Sequence, residues 1–398
     1  MEEMIFKKGE FGLLWPFYLD ALLSPMLFFL PAFMIVYFRT LDFSLFQIGI
    51  IMAMAPLFML LFEVPTGAFA DLYGRKYSVL LGMALEGIGF FSIFFMRDYY
   101  FILGAFALIG FGSTFSSGAG EAWVTDLIKG EKKDFLHGYF VKMQSFDSFG
   151  LVVSGILGVF IVKTFGLGSI WLVTGGSFLL SFILDSFAKE NFVRKKSSVS
   201  ESFKKLNRQG KEAVNYSRKH GVLFYFIIAS AILVLSGTLS SHIAWVPFLQ
   251  DLGFQDHWFG YMWSAMAAVG IFAPSIGMKF YKKNKERGFL MFSIIASSIL
   301  LLLILLANNL VFGFAILLGT MFFFFMQKPV ERSYFHRFVP SKIRASVGSV
   351  ESMVLSLIAI LSLPIAGFLI DKIGAQYTIF IGGILAIPAA IVYWRIKE

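Results

Sequence analysis

Long apolar runs alternate with short polar segments along the whole 398-residue chain. A helix needs about 20 apolar residues to cross the hydrocarbon core of a bilayer. Transmembrane β-strands would instead be segments of about ten residues with alternating polarity, which these runs are not. The pattern therefore predicts an all-α polytopic membrane protein. We place twelve transmembrane spans near residues 13–38, 47–71, 77–96, 101–127, 138–162, 168–188, 221–249, 257–280, 288–307, 310–330, 345–370 and 375–394.

The composition supports a membrane location for most of the chain. Hydrophobic residues make up 58% and charged residues 15%, and the mean hydropathy is +0.76. Soluble domains contain about 45–50% apolar and about 25% charged residues. Because a soluble fold could not bury this excess, most of the surface must face lipid.

The same composition excludes several kinds of chemistry. The chain contains no cysteine and five histidines, and no His/Glu cluster stands at metal-ligand spacing. It also lacks a clustered nucleophile and base, and the Walker loop G-x-x-x-x-G-K-[ST] of ATP-driven proteins. We therefore expect no metal, no cofactor and no enzymatic activity.

The net charge of +9 is explained by membrane topology. If both termini lie on one side, 29 of the 34 Lys and Arg residues fall on that side and four on the other. Cytoplasmic loops carry the excess of Lys and Arg. We predict a multi-pass protein of the cell (inner) membrane with both termini cytoplasmic. The basic charge then implies no nucleic-acid partner.

A polar stretch over residues 189–220 divides the spans six and six. The predicted domains are an N-terminal six-helix bundle over 1–188, a basic cytoplasmic linker over 189–220 and a C-terminal six-helix bundle over 221–398. Part of the linker can form an amphipathic helix on anionic inner-leaflet lipids. The alternative is a solvated tether. The interpretation as an amphipathic helix rests on the helical spacing of Phe203, Leu206, Gly210 and Val214.

A motif between the second and third spans identifies a family. The segment GAFADLYGRK matches five of six defining positions of G-x-x-x-D-R-x-G-R-[RK], with Leu72 in place of the first Arg. This resembles the loop signature of the major facilitator superfamily. Together with the six-plus-six arrangement and the basic central loop, the resemblance covers the whole chain. It implies the major facilitator fold and secondary transport by alternating access.

The resemblance also implies a role for the motif as a latch between the two halves. In the family this cluster separates when the cavity opens inward. A topological anchor alone is the alternative. The predicted latch residues are Gly67, Asp71, Gly74, Arg75, Lys76 and Asp126.

The spacing G-x-x-x-D-x-x-G occurs a second time in the chain, at Gly367, Asp371 and Gly374. The predicted topology places the first copy on the inner side and the second on the outer side. A parallel internal repeat would keep the same side. We therefore interpret the second copy as chance or as shared helix-end chemistry.

Ionisable residues within spans are costly and need a partner, water or a function. A buried carboxyl group can bind and release protons near neutral pH. The resemblance implies a cavity lined by spans 1, 4, 7 and 10, which favours Asp20 and Glu121, with Glu63 nearby. In span 7, His242 and Trp245 lie at a plausible cavity level. These five residues are the candidates for proton coupling or substrate binding, and structural hydrogen bonding or packing is the alternative for each.

These observations favour a secondary active transporter for proton-coupled efflux of lipophilic or cationic small molecules, similar to the drug/proton antiporters with twelve helices. Span 4 lacks the Arg and Gln of the antiporter pattern R-x-x-Q-G-x-G, and span 5 lacks its Pro. A proton-coupled symporter for a nutrient or metabolite remains an alternative, as does a membrane sensor or scaffold without transport. The expected partners are a small-molecule substrate, protons and anionic lipid, with the protein as a monomer.

Overall fold

The computed structural model describes residues 6–130, 135–191, 216, 221–282, 285–339 and 344–396, and regular structure in these parts is helical. Twelve helical segments of the described chain are long and apolar enough to cross a membrane, which confirms the all-α, twelve-span prediction. We number them spans 1 to 12 in chain order. They are Glu10–Arg39, Leu45–Tyr73, Arg75–Phe95, Tyr99–Gly130, Leu136–Phe165, Ser169–Ser186, Gly221–Asp251, Asp256–Phe280, Glu286–Leu306, Leu310–Arg337, Val347–Ile373 and Ala375–Trp394.

Polar side chains fix where several spans begin. The carboxylate of Asp98 accepts a hydrogen bond from the Phe101 amide (3.0 Å) at the start of span 4. The side chain of Asn309 accepts one from the Phe312 amide (2.9 Å) at the start of span 10. Such caps satisfy amides that have no partner within the first turn of a helix.

Spans 1, 4 and 7 are each broken into two helices. Pro25 is the penultimate residue of the first helix of span 1. Gly118, with φ +68°, lies in the break of span 4, and Ser241 is extended at the break of span 7. Broken helices are typical of binding regions in transporters, because they free backbone groups at membrane depth. The helix pairs are Glu10–Met26 with Leu30–Arg39, Tyr99–Ser116 with Ala119–Gly130, and Gly221–Leu239 with His242–Asp251.

The chain packs into two compact units, each with its own buried core. Unit 1 comprises Met1–Tyr37, Met54–Ser202 and His257–Ser264, and unit 2 comprises Phe38–Ala53, Phe203–Asp256 and Ala265–Glu398. The start of span 2 therefore packs in unit 2, and the start of span 8 packs in unit 1. The predicted linker lies outside the described residues, apart from 189–191 and 216.

Buried aromatic side chains centre both cores. In unit 1, Trp123 is 1% exposed and packs edge-on against Phe17. In unit 2, Phe226 contacts the rings of Tyr334 and Tyr393. Aromatic side chains bury large apolar areas, so these clusters dominate the packing energy of each unit.

Within unit 1, spans 5 and 8 approach each other through glycine. A Cβ atom at Gly155 would overlap the carbonyl oxygen of Gly260, and one at Gly260 would overlap the carbonyl oxygen of Gly155. Beside this contact, the Ser264 hydroxyl donates to the carbonyl oxygen of Val152 (2.6 Å). Small residues let two helix backbones touch.

Candidate functional site

A cavity of about 640 Å³ lies within unit 2. This volume is typical of sites for small organic molecules. Its apolar wall includes Met266, Met321 and Phe324. Polar residues of spans 7 and 10 complete the wall, so the cavity can contact both faces of an amphipathic ligand.

Two buried polar atoms on the cavity wall lack partners. The side chains of Trp245 and Gln327 are 1% and 7% exposed, and both residues line the cavity. Within the described parts of the chain, the Trp245 Nε1 and Gln327 Oε1 atoms have no hydrogen-bond partner. An unsatisfied buried donor or acceptor costs about 1–3 kcal/mol. A ligand that supplies an acceptor to Trp245 and a donor to Gln327 would recover this energy.

The hydroxyl groups of span 7 add hydrogen-bond acceptors to the cavity wall. The Ser236 hydroxyl donates to the carbonyl oxygen of Gly382 (2.7 Å), and the Ser240 hydroxyl donates to that of Ser236 (2.9 Å). At the break, the Ser241 hydroxyl donates to the carbonyl oxygen of Thr238 (2.8 Å). Each hydroxyl proton is therefore engaged, while the oxygen lone pairs can still accept.

Two ion pairs form the charged part of the cavity wall. The Lys328 ammonium lies 3.2 Å from a Glu331 oxygen, and the Arg332 guanidinium lies 3.0 Å from a Glu351 oxygen. All four residues line the cavity. Because each carboxylate has a basic partner, the cavity carries no unpaired acid from these residues.

Of the five candidates, the structure brings His242 and Trp245 into this cavity. His242 is the first residue of the second helix of span 7 and is half-buried. Trp245 follows three residues later on the same helix. Asp20, Glu63 and Glu121 lie in unit 1 and do not line this cavity.

Asp20 lies in a small hydrogen-bonded group between spans 1 and 6. Its Oδ1 atom accepts from the hydroxyl of Ser24 (2.6 Å) and from that of Ser181 (2.5 Å). The two hydroxyl oxygens are 2.9 Å apart. Asp20 is half-buried, whereas Glu63 and Glu121 are exposed on unit 1. The structure therefore gives Asp20 polar neighbours on spans 1 and 6 and leaves the other two carboxylates at the surface of unit 1.

The predicted latch residues contact several elements of unit 1. The Arg75 guanidinium contacts the carboxylate of Asp126 and donates to the carbonyl oxygen of Ala122 (2.8 Å). Gly67 is exposed, and Asp71 is half-buried near the end of span 2. The Arg75 contact therefore joins the start of span 3 to the end of span 4.

Glu190 caps the start of span 3 and was missed by the sequence analysis. Its Oε1 atom accepts from the backbone amides of Arg75 (2.6 Å) and Lys76 (2.9 Å). Gly74 has φ +111°, and a Cβ atom there would lie 3.0 Å from the other Glu190 oxygen. The Lys76 ammonium donates to two carbonyl oxygens at the end of span 6, those of Ser186 and Ala188, each at 2.7 Å.

A buried ion pair at the start of span 1 was also missed. The Lys142 ammonium lies 2.7 Å and 2.8 Å from the two carboxylate oxygens of Glu10. The Tyr18 hydroxyl donates to the same carboxylate (2.6 Å). The predicted span began at residue 13, which left Glu10 outside the membrane and Lys142 without a partner.

Known proteins share both the sequence pattern and the fold. A sequence profile described as Major Facilitator Superfamily matches residues 17–350. The uncharacterized MFS-type transporter YxaM of Bacillus subtilis (strain 168) is 24% identical over 373 residues, which cover 90% of this chain and 89% of that protein.

Solved structures of transporters superpose on nearly the whole chain. The nucleoside transporter NupG matches with a TM-score of 0.77 at 13% identity, covering 97% of this chain and 100% of that one. A D-xylose-proton symporter matches with a TM-score of 0.72 at 14% identity, covering 97% and 98%. These likenesses confirm the major facilitator fold for this chain of twelve candidate membrane spans. The chain belongs to the major facilitator superfamily and is a secondary transporter, not an enzyme.

Proposed function

We propose that the cavity of unit 2 binds an uncharged organic solute with both hydrogen-bonding groups and apolar surface, and that alternating access carries this solute across the membrane together with protons. The observation that carries the proposal is the pair of buried, unpartnered polar atoms at Trp245 and Gln327. The hydroxyl oxygens of span 7 and the apolar wall at Phe324 support the same amphipathic chemistry.

The charges of the cavity favour an uncharged solute over a cation. Glu331 and Glu351 are each paired with a basic side chain of span 10. A cationic solute would have to displace Lys328 or Arg332 to reach a carboxylate. The positive charges of Lys328 and Arg332 would also repel a cation that enters the cavity.

For proton coupling we propose Asp20. Its carboxyl group lies within a span and is held by two hydroxyl groups, which can stabilise either protonation state. Glu63 and Glu121 are exposed on spans, where charged side chains face water rather than lipid. We assign these two to the water-accessible path that leads to Asp20. The D-xylose-proton symporter shares this fold, which supports symport as the first candidate.

Proton-coupled efflux of a lipophilic compound is the second candidate. It is favoured by the apolar wall formed by Met266, Met321 and Phe324, since methionine and aromatic side chains adapt to varied ligands. In either direction we expect a monomer in the cell membrane, with both termini cytoplasmic and the basic loops at anionic lipid.

The solute class can be tested by binding to the detergent-purified protein. Uncharged polyols, nucleosides and amides should raise the melting temperature, and organic cations of similar size should not. Trp245→Phe keeps the ring but removes the donor, and it should weaken binding of the best solute about tenfold. Trp394→Phe, at a side chain that is 64% exposed, is the matched control. Preferential stabilisation by cations, or equal affinities of the two variants, would refute the proposed site.

Coupling can be tested in proteoliposomes that contain a pH-sensitive dye. Solute flux should move protons, and Asp20→Asn should stop proton movement while binding persists. The matched control is Asp42→Asn, since Asp42 is exposed between spans 1 and 2. Protons that follow the solute indicate symport, and protons that move against it indicate efflux by exchange. Binding without any flux would support a sensor, and flux without protons would refute coupling.

A further inference from the structure

A buried carboxyl group at the end of span 6 has an oxygen atom without a hydrogen-bond partner. Asp185 is the penultimate residue of span 6 and is 4% exposed. Within the described parts of the chain, its Oδ1 atom accepts no hydrogen bond. A buried carboxylate is costly unless donors or a cation compensate its charge. The surroundings of Asp185 therefore suit a neutral, protonated carboxyl group.

One face of span 6 connects Asp185 to Asp20 of span 1. Ser181 lies one helical turn before Asp185, about 6 Å along the helix. The Ser181 hydroxyl donates to the Oδ1 atom of Asp20 (2.5 Å). Asp185 also interacts electrostatically with Asp20. Two acids from different spans therefore share one polar region of unit 1, with Ser181 on the face between them.

Lys76 of span 3 is a basic group in this region and interacts electrostatically with Asp185. Its ammonium donates to two carbonyl oxygens at the end of span 6, each at 2.7 Å. It makes no hydrogen bond to the Oδ1 atom of Asp185. The lysine therefore binds the end of span 6 and leaves this carboxyl oxygen unpartnered.

Span 5 adds a further acid and a phenol to the region. Tyr139 interacts electrostatically with both Asp185 and Asp20, and the half-buried Asp147 interacts with Asp20. Acids that share a buried site repel one another when all are ionised, so the site favours a proton on one of them.

The hydrogen bonds indicate which acid holds the proton. The Oδ1 atom of Asp20 accepts from two hydroxyl groups, those of Ser24 (2.6 Å) and Ser181 (2.5 Å). Hydrogen bonds that are donated to a carboxylate stabilise its charged form. The Oδ1 atom of Asp185 accepts none. The negative charge is therefore better placed on Asp20, and the proton is better placed on Asp185.

We propose that Asp185 and Asp20 form a two-carboxyl proton site, in which the pair carries one proton and one negative charge and Asp185 holds the proton beside Asp20. When the proton moves, the O–H bond of Asp185 breaks and Asp20 gains the proton, so the charge of the pair is unchanged. The proposal rests on the proposed function for the coupling role of Asp20. The protonation of Asp185 can nevertheless be measured without any solute.

A hydrophobic carbodiimide can test the protonation of Asp185, because it reacts with protonated carboxyl groups in apolar surroundings. We would treat the wild-type protein in proteoliposomes with dicyclohexylcarbodiimide at neutral pH and locate the modified residues by mass spectrometry. Glu10 is the internal control, since it is 1% exposed but is held as a carboxylate by Lys142 and Tyr18. Asp185 should react about tenfold faster than Glu10.

The link between the two acids can be tested with variants of Asp20 and its partner. Asp20→Asn removes the nearby negative charge and should slow the reaction of Asp185 about threefold. Ser181→Ala removes a donor to Asp20 and should change the rate in the same direction, which provides a second variant if the first folds poorly. Asp42→Asn, at an exposed position between spans 1 and 2, is the matched control and should leave the rate unchanged.

The proposal would be overturned if Asp185 reacts no faster than Glu10, or if neither variant slows its reaction. Protection of Asp185 by sodium chloride, but not by choline chloride, would also overturn it and would assign the two acids to a metal cation.

These outcomes are separable from that of the proposed function. Fast reaction of Asp185 in a protein that moves solute without protons would retain the two-carboxyl site and reject the coupling. Proton movement that requires Asp20, with Asp185 as unreactive as Glu10, would retain the coupling and reject the two-carboxyl site.

Discussion

Replacing Lys142 with methionine should destabilise unit 1 far more than replacing its partner Glu10 with glutamine. The Lys142 ammonium contacts both oxygens of Glu10, at 2.7 Å and 2.8 Å. The side chain of Glu10 is 1% exposed, while that of Lys142 is 20% exposed. Loss of Lys142 would therefore leave a buried carboxylate unpaired, whereas loss of the Glu10 charge would leave an ammonium group that can reach water.

The magnitudes follow from this asymmetry. Lys142→Met strands a buried carboxylate, and removing one partner of a buried ion pair costs about 3–5 kcal/mol. Because Lys142 is partly exposed, we expect the lower end, about 3 kcal/mol. Glu10→Gln leaves a cation that can reach water, and the amide oxygen can still accept from Tyr18, so we expect about 1 kcal/mol. For a unit of this size, 3 kcal/mol corresponds to a fall in Tm of about 6–12 °C.

The assay is thermal unfolding of the detergent-purified protein, followed by tryptophan fluorescence, for both single variants and the double variant. The double variant should be more stable than Lys142→Met alone, because no carboxylate remains unpaired. Lys163→Met, at an exposed position of span 5, is the control and should not change Tm. The reasoning would be refuted by a Lys142→Met protein that melts within about 2 °C of the wild type. It would also be refuted by a double variant that is no more stable than Lys142→Met alone.

Two further predictions concern packing and capping in unit 1. Gly155→Ala should drive a methyl group into the carbonyl oxygen of Gly260 and lower stability by about 1–3 kcal/mol. Gly176→Ala is the control and should not lower stability, because nothing lies within 4 Å of the added Cβ. Equal Tm values for the two variants would contradict the predicted clash at Gly155. Glu190→Gln should weaken both bonds to the first amides of span 3 by about 1 kcal/mol in total. Hydrogen exchange of those amides should then be about fivefold faster, and an unchanged rate would count against the cap.

The twelve spans could be predicted because a helix that crosses the lipid must be apolar over about 20 residues, and runs of this length are visible in the sequence. The breaks in spans 1, 4 and 7 could not be placed in the same way. Pro25 and Gly118 are weak signals within apolar runs that contain other proline and glycine residues. A hydropathy window also cannot show that Glu10 begins span 1, because a paired acid in a helix and a solvated acid before it have the same local sequence.

The candidate site was predicted only in part. His242 and Trp245 were found because a polar cluster in an apolar span is itself a signal. Gln327 was not among the predicted residues, because its unpaired oxygen depends on neighbours that are distant in sequence. The sequence also could not show that the Asp371 carboxylate accepts hydrogen bonds from the amides of Leu45 and Phe46, because these residues lie more than 300 positions apart.

The glycine contact between spans 5 and 8 has a consequence for the speed of movement. A helix seam with interdigitated side chains must change rotamers before the helices can separate. At Gly155 and Gly260 the backbones touch directly, and the Ser264 hydroxyl supplies a hydrogen bond across the seam. Movement of spans 5 and 8 at this point therefore needs no rotamer change at Gly155 or Gly260, and the Ser264 hydrogen bond is a contact that must break.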